Sequence, residues 1–138
     1  MSTHDKINVA VIGATGYTGL DLVLMLTKHP KVSIKYLCAT QNLGKRINFF
    51  DQRIKKKLPK ISSVDEINLD KLNLIFLSLP NGEAQKFIGK FFLKNTNIKY
   101  IDLSADFRIS NSKIYEKNYK IKHKAKKLIK NAIYSIPE

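Results

Sequence analysis

A glycine-rich turn between a strand and a helix is the feature that most constrains how this chain can fold. Residues 6–12 read Lys-Ile-Asn-Val-Ala-Val-Ile, a nearly continuous apolar run that is typical of a strand buried on both faces of a parallel sheet. Glycine follows at Gly13, Gly16 and Gly19, and apolar residues then recur on one helical face between Thr18 and His29. This order predicts a strand–turn–helix unit, with which many α/β folds begin.

The spacing of the three glycines indicates a phosphate-binding loop. A dinucleotide site needs glycine where the strand turns into the helix, where the backbone approaches the pyrophosphate, and where helix and strand pack closely. Thr15 and Thr18 add hydroxyls beside the free N–H groups of the helix start, where the macrodipole favours an anion. Glycine can also serve such a turn for steric reasons alone, but its position directly after the first strand favours cofactor binding. The predicted cofactor-binding residues of this loop are Gly13, Ala14, Thr15, Gly16, Tyr17, Thr18 and Gly19.

Further strand and helix patterns alternate along the chain. Strand-like apolar runs cover residues 32–38, 73–79 and 98–103, and an amphipathic helical pattern covers residues 83–94. Residues 40–60 show little periodicity and predict a long loop with one short helix. This alternation predicts an α/β fold of the Rossmann-like, doubly wound kind with a mainly parallel sheet.

The last part of the chain carries two weaker patterns. Seven lysines and His123 alternate with apolar residues between Lys117 and Lys130, which predicts an amphipathic helix with a solvated basic face. A strand-like pattern resumes over residues 132–138 and stops abruptly. We therefore expect a single domain over residues 1–138 that is part of a longer polypeptide.

The chain is strongly basic. Its 25 Lys and Arg residues against 11 Asp and Glu give a formal net charge of +14, which raises nucleic-acid binding as an alternative function. Lysines greatly outnumber arginines, whereas base readout and bidentate phosphate recognition favour arginine. We therefore predict no nucleic-acid partner. Because no run of 18 apolar residues and no signal peptide occur, we also predict no membrane association and a cytoplasmic protein.

The thiol and imidazole groups form no recognisable metal pattern. Cys38 is the one cysteine, so an internal disulfide is excluded, and its place in a strand pattern predicts a small buried residue rather than a reactive thiol. His4, His29 and His123 lack metal-ligand spacing and are expected to face solvent. The sequence predicts no metal site.

The end of the second predicted strand bears on which dinucleotide binds. An NAD-specific site places an Asp or Glu about 20 residues after the glycine loop, on the ribose 2′-hydroxyl. Residues 37–42 contain no acid, and Lys45 and Arg46 follow. Missing negative charge beside positive charge suits a 2′-phosphate and favours NADP, although both residues could equally belong to a generally basic surface.

Two more loops follow predicted strands and are expected at the same edge of the sheet, where ligands of open α/β sheets bind. The first, Leu79–Gly82, is also consistent with a simple turn that uses Pro and Gly. The second, Asp102–Arg108, concentrates two carboxylates, a hydroxyl and a guanidinium. An ion pair of Asp102 or Asp106 with Arg108 and a role near substrate are both open for this segment.

Four segments together resemble N-acetyl-gamma-glutamyl-phosphate reductase of arginine biosynthesis, in the semialdehyde dehydrogenase superfamily. They are residues 13–19, 79–82, 102–108 and 134–138. The sequence Asp-Leu-Ser-Ala-Asp-Phe-Arg at 102–108 is the most specific of them, and the glycine loop is shared with aspartate-semialdehyde dehydrogenases. The resemblance implies that residues 1–138 are the NAD(P)-binding domain, truncated before the catalytic domain.

The resemblance also implies a site. Residues 13–19 would hold the pyrophosphate, Thr40 and its neighbours the adenosine ribose, and Leu79, Pro80, Asn81 and Gly82 the nicotinamide ribose. Ser104 and Arg108 are weaker candidates beside the nicotinamide or the substrate. Asn81 replaces a common histidine of the family and Ser135 a common glycine, and Thr40-Gln41-Asn42 stands where the family usually carries Ser-Arg, which leaves the 2′-phosphate contact open.

The reaction implied by the resemblance needs more than these residues. A cysteine thiolate attacks the acyl phosphate, phosphate leaves, and a hydride from NADPH reduces the thioester to the semialdehyde. The chain stops before the family's cysteine segment, so we expect no catalytic residue here and no activity from this chain alone. The acyl-phosphate substrate would bind through the missing domain, and the full-length protein is expected to be a homo-oligomer. An aspartate-semialdehyde dehydrogenase-like domain and a stand-alone NADP-binding module are the alternatives.

Overall fold

One parallel five-stranded sheet forms the centre of the fold. The structure is a computed structural model that describes residues 5–136. The strands lie in the order β3-β2-β1-β4-β5, and every neighbouring pair is parallel. The strands are β1 (Ile7–Ile12), β2 (Val32–Cys38), β3 (Ile61–Ser62), β4 (Leu74–Leu77) and β5 (Lys99–Asp102), and the helices are α1 (Tyr17–Lys28), α2 (Glu83–Phe91) and α3 (Ser112–Tyr119).

Alternate side chains of β1 enter two separate cores. Val9 and Val11 pack on one face of the sheet with α1 and with the loop residues Ile47 and Ile54, whereas Ala10 packs on the other face against α2. Because both faces are covered, the central strand must be apolar on both sides, which explains its unbroken apolar run. The predicted Rossmann-like α/β fold is confirmed.

The order of the strands creates a switch point at β1. The chain moves from β1 outward to β2 and β3, then returns to place β4 and β5 on the other side of β1. Loops that leave β1 and β4 therefore diverge to opposite faces of the sheet and open a crevice between them. In open α/β sheets this crevice at the carboxyl ends of the strands is where ligands bind.

Three expectations from the sequence were wrong in detail. The two-residue β3 lies in a stretch where no strand was expected, because so short a strand carries no periodicity. The helix expected over 117–130 is broken after Tyr119, where Lys120 adopts φ 58°, and a 3₁₀ helix follows at Lys126–Asn131. Residues 132–136 are not in a strand, and residues 137–138 of that expected strand lie outside the described part.

The described helices are all too short or too polar to cross a bilayer. α1 is the longest of the α-helices within residues 5–136, at 12 residues, and none of the helices there meets the length and hydropathy needed for a membrane span.

Candidate functional site

The glycine loop is anchored on both sides to the carboxyl edge of the sheet. The amides of Gly13 and Ala14 donate to the carbonyl of Cys38, at 2.9 and 3.0 Å, and so attach the loop to β2. On the other side the amide of Ser78, which follows β4, donates to the carbonyl of Ile12 at 2.8 Å. The loops that follow β1 and β4 are therefore adjacent at the switch point, as the sequence predicted.

Glycine stands at the three positions of the loop for different physical reasons. Gly13 has φ +83°, and a Cβ there would lie 2.0 Å from the carbonyl oxygen of Ser78. A Cβ on Gly19 would lie 2.1 Å from the carbonyl oxygen of Gly13. The fold itself therefore requires glycine at both positions, for the turn and for close packing of α1 on the loop.

Gly16 is the exception. A Cβ on Gly16 would meet nothing nearer than the carbonyl oxygen of Gly13, at 3.7 Å, and its backbone has φ −74° and ψ 167°, which any residue adopts. Neither packing nor backbone geometry within the described residues demands glycine here. Glycine is preferred over alanine at an N-cap, and the space at Gly16 would also let a ligand approach the backbone, which is the role of the middle glycine in a dinucleotide loop. The loop therefore fits a pyrophosphate.

The N-terminus of α1 is open to an anion. Gly16 is its N-cap and provides no side-chain acceptor, and no acidic residue lies in the first turn. The first helical hydrogen bond runs from the amide of Leu20 to the carbonyl of Gly16, so the amides of residues 17–19 have no carbonyl partner within the helix. Tyr17 is 95% exposed beside them. Free amides and the helix macrodipole together favour a phosphate group at this point.

The N-terminus of α2, at the same edge of the sheet, is closed by a carboxylate. Gly82 is the N-cap, with φ +93° and no side chain to cap the helix. Asp106 performs that task from 24 residues away: its oxygens accept the amide of Gly82 at 2.8 and 3.0 Å and the amide of Gln85 at 2.9 Å. Of these two helix N-termini, α1 therefore has room for a ligand phosphate.

Asp106 also answers the question left open for the segment Asp102–Arg108. Within residues 5–136 no ion pair of 4 Å or less joins Arg108 to Asp102 or Asp106, so the possible structural ion pair does not form. Asp106 is completely buried and hydrogen-bonded, whereas Arg108 is exposed, with its guanidinium 5.7 Å from the ring centre of Tyr134.

Asp102 and Ser104 form a closed pair. Asp102 accepts both the amide and the hydroxyl of Ser104, at 2.8 and 3.0 Å. The same hydroxyl accepts the amide of Asp106 at 3.1 Å. Burial raises the pKa of the Asp102 carboxyl. Ser104 lies at the predicted edge, but its hydroxyl is already occupied within the chain.

The loop Leu79–Gly82 presents its tip to the crevice. Pro80 and Asn81 are exposed and Gly82 is buried. The side-chain oxygen of Asn81 accepts the amide of Ala105 at 3.2 Å, which ties this loop to the segment that follows β5. The structure thus brings the predicted site residues 13–19, 79–82 and 104 to one edge of the sheet.

The predicted adenosine end lies beyond β2. Thr40 is exposed just after that strand. The ammonium of Lys45 donates to the side chain of Asn42 at 2.9 Å and lies 4.5 Å from the ring centre of Phe49. Arg46, which follows Lys45 in the sequence, lines a cleft of about 310 Å³ together with Lys55, Lys56 and Lys57. Lys45 is therefore the cation that the structure places beside the residues directly after β2.

The expectations for Cys38 and for the histidines have different outcomes. Cys38 is fully buried, and burial raises its pKa to about 11, so the expectation of an inert core residue is confirmed. His29 is exposed as expected, but His123 is only 4% exposed, which corrects its expected exposure. His123 is buried because the helix expected around it is broken and its ring packs edge-on against Phe107 and Tyr115. His4 lies outside the described residues.

The hydrogen-bonding partners of Asp106 could not be found from the sequence. Gln85 lies on α2, Tyr115 on α3 and His123 in the irregular segment after α3. They share no spacing, and an amphipathic pattern marks such positions only as buried. The one available signal was a helix that begins at glycine without an acceptor of its own, which requires an acceptor from elsewhere.

Comparison with known proteins adds a family match. Residues 8–138 match the sequence profile of the family described as "Semialdehyde dehydrogenase, NAD binding domain". Among solved structures, aspartate semialdehyde dehydrogenase with NADP from Candida albicans superposes with a TM-score of 0.60 at 22% identity, covering 78% of this chain and 32% of that one. Aspartate semialdehyde dehydrogenase II from Vibrio cholerae gives a TM-score of 0.58 at 22% identity, over 75% of this chain and 30% of that one. These structures share the fold.

Curated relatives show higher identity. N-acetyl-gamma-glutamyl-phosphate reductase of Ehrlichia canis is 44% identical over 135 residues, and that of Ehrlichia chaffeensis is 41% identical over 135 residues. Each match covers 96% of this chain and 38% of the relative. The chain thus spans under two fifths of the length of these relatives.

Proposed function

Because this chain belongs to the family of semialdehyde dehydrogenase NAD-binding domains, we propose that it binds NADP as the cofactor-binding part of a reductase. The proposed reaction reduces N-acetyl-gamma-glutamyl phosphate to N-acetylglutamate semialdehyde with NADPH. The observation that carries the proposal is Gly16, a glycine at an open helix N-terminus that the fold does not require. The relatives at 41–44% identity favour this reductase over an aspartate-semialdehyde dehydrogenase.

The proposed placement of the cofactor follows the carboxyl edge of the sheet. The pyrophosphate would lie against residues 13–19 and accept the free amides of α1. The adenosine ribose would lie beside Thr40, and the nicotinamide ribose beside Leu79–Gly82. Ser104 would line the nicotinamide end. When bound there, NADPH supplies the hydride, and the chain's own residues orient it.

A preference for NADP over NAD is supported by charge. The residues directly after β2, Ala39 to Asn42, are not acidic, so nothing there would repel a 2′-phosphate. Lys45 is held beside Asn42, and Arg46 is the next cation along the sequence. The similar Candida albicans structure was determined with NADP.

The covalent chemistry would need residues from outside this sequence. Acyl transfer requires an accessible thiolate, and Cys38 is buried with its pKa raised to about 11. We therefore propose that the catalytic thiol and the main contacts to the acyl phosphate come from a catalytic domain, and that this chain alone turns over no substrate. NADPH oxidation by the purified chain with the acyl phosphate should equal the rate without protein, and turnover would contradict this assignment. A homo-oligomeric reductase and a cytoplasmic location remain predictions.

Calorimetric titration tests the cofactor proposal. NADPH should bind more tightly than NADH. Replacing Lys45 and Arg46 together by glutamine should weaken NADPH and leave NADH nearly unchanged, because only NADPH carries the 2′-phosphate. Lys28→Gln is the matched control, since it removes one charge at the opposite end of α1, about 18 Å away by helix rise. Absence of binding by either nucleotide would refute the proposed function, and equal binding of both would refute the NADP preference.

A further inference from the structure

A buried carboxylate lies behind the proposed nicotinamide-ribose loop. Asp106 accepts the amide of Gly82 with both oxygens and the amide of Gln85 with one. These two amides are the N-cap and third positions of α2. An anion at this point is favoured by the macrodipole and by charge-assisted hydrogen bonds. The end of the loop that follows β4 is therefore fixed by a residue in the segment that follows β5.

The loop has a second attachment to the same segment. Asn81 accepts the amide of Ala105 through its side-chain oxygen, at 3.2 Å. Gly82 has φ +93°, a conformation that glycine adopts without steric cost, so the chain can turn here into α2. Consecutive loop residues, Asn81 and Gly82, are thus bonded to consecutive residues, Ala105 and Asp106.

Asp106 is itself held from behind. The hydroxyl of Tyr115 donates to Asp106 at 2.6 Å, and the side-chain amide of Gln85 donates to that hydroxyl at 3.1 Å. His123 accepts the amide of Ala125 at Nδ1, so its Nε2 carries the proton and donates to the carbonyl of Asp106 at 2.6 Å. The carboxylate is fully buried with three donors around it, so it acts on a ligand only through the loop.

We infer that Asp106 is a positioning residue that fixes the loop Leu79–Gly82 in the conformation that receives the nicotinamide half of the cofactor. The inference rests on the proposed function. Its consequence is selective: loss of the Asp106 charge disturbs the nicotinamide end of the crevice and leaves the pyrophosphate and adenosine ends, on residues 13–19 and beyond β2, unchanged. A purely structural residue would affect both ends alike.

The test compares two ligands on three proteins. The ligands are NADPH and adenosine 2′,5′-bisphosphate, which carries only the adenosine end. Asp106→Asn keeps the size of the side chain but replaces one acceptor oxygen by a donor that faces a backbone amide. NADPH should bind about tenfold more weakly to this variant, in line with a lost charge-assisted bond, and the bisphosphate within about twofold of wild type. Tyr115→Phe is the control, because it removes the hydrogen bond of the tyrosine hydroxyl to Asp106 but leaves those from the backbone amides of Gly82 and Gln85. This variant should have a lower melting temperature and unchanged NADPH affinity.

Each other outcome overturns the inference. An equal loss of affinity for both ligands in Asp106→Asn would mean that the residue is merely structural. Unchanged NADPH affinity would mean that Asp106 does not position the loop for the cofactor. Wild-type protein that binds neither ligand would instead refute the proposed function itself. If Asp106→Asn does not fold, amide hydrogen exchange on the wild type decides. NADPH should slow exchange at Gly82 and Gln85 further and the bisphosphate should not, and equal effects of the two ligands would overturn the inference.

Discussion

Alanine substitutions in the glycine loop should separate folding from cofactor binding. In Gly16→Ala the new methyl meets only the carbonyl oxygen of Gly13, at 3.7 Å, and the backbone is already one that alanine adopts. The expected loss of stability is about 1 kcal/mol or less, the usual difference between glycine and alanine at an N-cap. A domain with a typical unfolding free energy of about 5–15 kcal/mol remains folded after such a loss.

The neighbouring glycines supply the contrast. Gly13→Ala should lose about 1–2 kcal/mol for its left-handed backbone alone, and the Cβ 2.0 Å from the Ser78 carbonyl adds a clash with backbone. Gly19→Ala is the sharper control. Alanine is favoured over glycine within a helix by about 1 kcal/mol, so any net destabilisation must come from the contact of its Cβ with the Gly13 carbonyl at 2.1 Å. Overpacking of this kind costs about 1–3 kcal/mol.

Two measurements on the same samples check this prediction. Urea denaturation gives the stability order, with Gly16→Ala near wild type and the other two below it. Titration with NADPH gives affinity, which should fall at least about tenfold in Gly16→Ala, or about 1.4 kcal/mol. The thermal stabilisation that NADPH gives wild type, about 2.7 kcal/mol at a hundredfold excess over Kd, should shrink accordingly. If Gly16→Ala binds NADPH as tightly as wild type, the pyrophosphate does not lie against this residue and the reasoning fails.

Three further predictions concern the buried polar groups. Cys38 should resist alkylation near pH 8 until the protein unfolds. Because its pKa rises from 9.0 to about 11 on folding, the free energy of unfolding should decline between those pH values. Cys38→Ser should remove that decline. Asp102→Asn should match or exceed wild-type stability at pH 7 in thermal melts, since burial raises the pKa of this carboxyl and disfavours its charged form. The difference in stability should vanish in acid, where the wild-type carboxyl gains its proton. A difference that is the same at both pH values would contradict this cause. His123→Ala should lose about 1–3 kcal/mol in urea, because the amide of Ala125 loses its buried acceptor, and an unchanged midpoint would refute the hydrogen-bond assignment.

The parts of the fold that the sequence predicted are those set by local repetition. The apolar run of β1, the glycine turn and the helix α1 form one contiguous segment, in which a buried strand, a tight turn and an amphipathic helix each leave a local pattern. The position of β3 depends instead on two residues that pair with Leu37 and Cys38 across the sheet, and no local pattern encodes so short a pairing. The break after Tyr119 depends on the positive φ of Lys120, which a periodic run of lysines conceals.

The candidate site divides in the same way. The place of residues 13–19 at the carboxyl edge of the sheet was predicted because the glycines and the strand and helix that flank them are adjacent in the sequence. Asp106 was placed in a notable segment, but an ion pair with Arg108 was as reasonable as any other role, because the donors that Asp106 binds are amides at the start of α2. Backbone amides are present at every non-proline position, so a sequence cannot reveal which of them lack a partner. The glycine at its start indicates that α2 lacks a cap of its own, but only the fold shows that Asp106 supplies the acceptor.

The distribution of charge along the sheet edge adds an argument about the direction in which a dinucleotide would lie. Lys45 lies beyond β2, where its ammonium donates to the side chain of Asn42, whereas Asp102 ends β5 and Asp106 follows that strand, and both carboxylates accept hydrogen bonds within the chain. NADP is itself asymmetric, with an extra phosphate on its adenosine ribose and a cationic ring when oxidised. The exposed ammonium of Lys45 beyond β2 favours an orientation that places the 2′-phosphate at that end over its reverse.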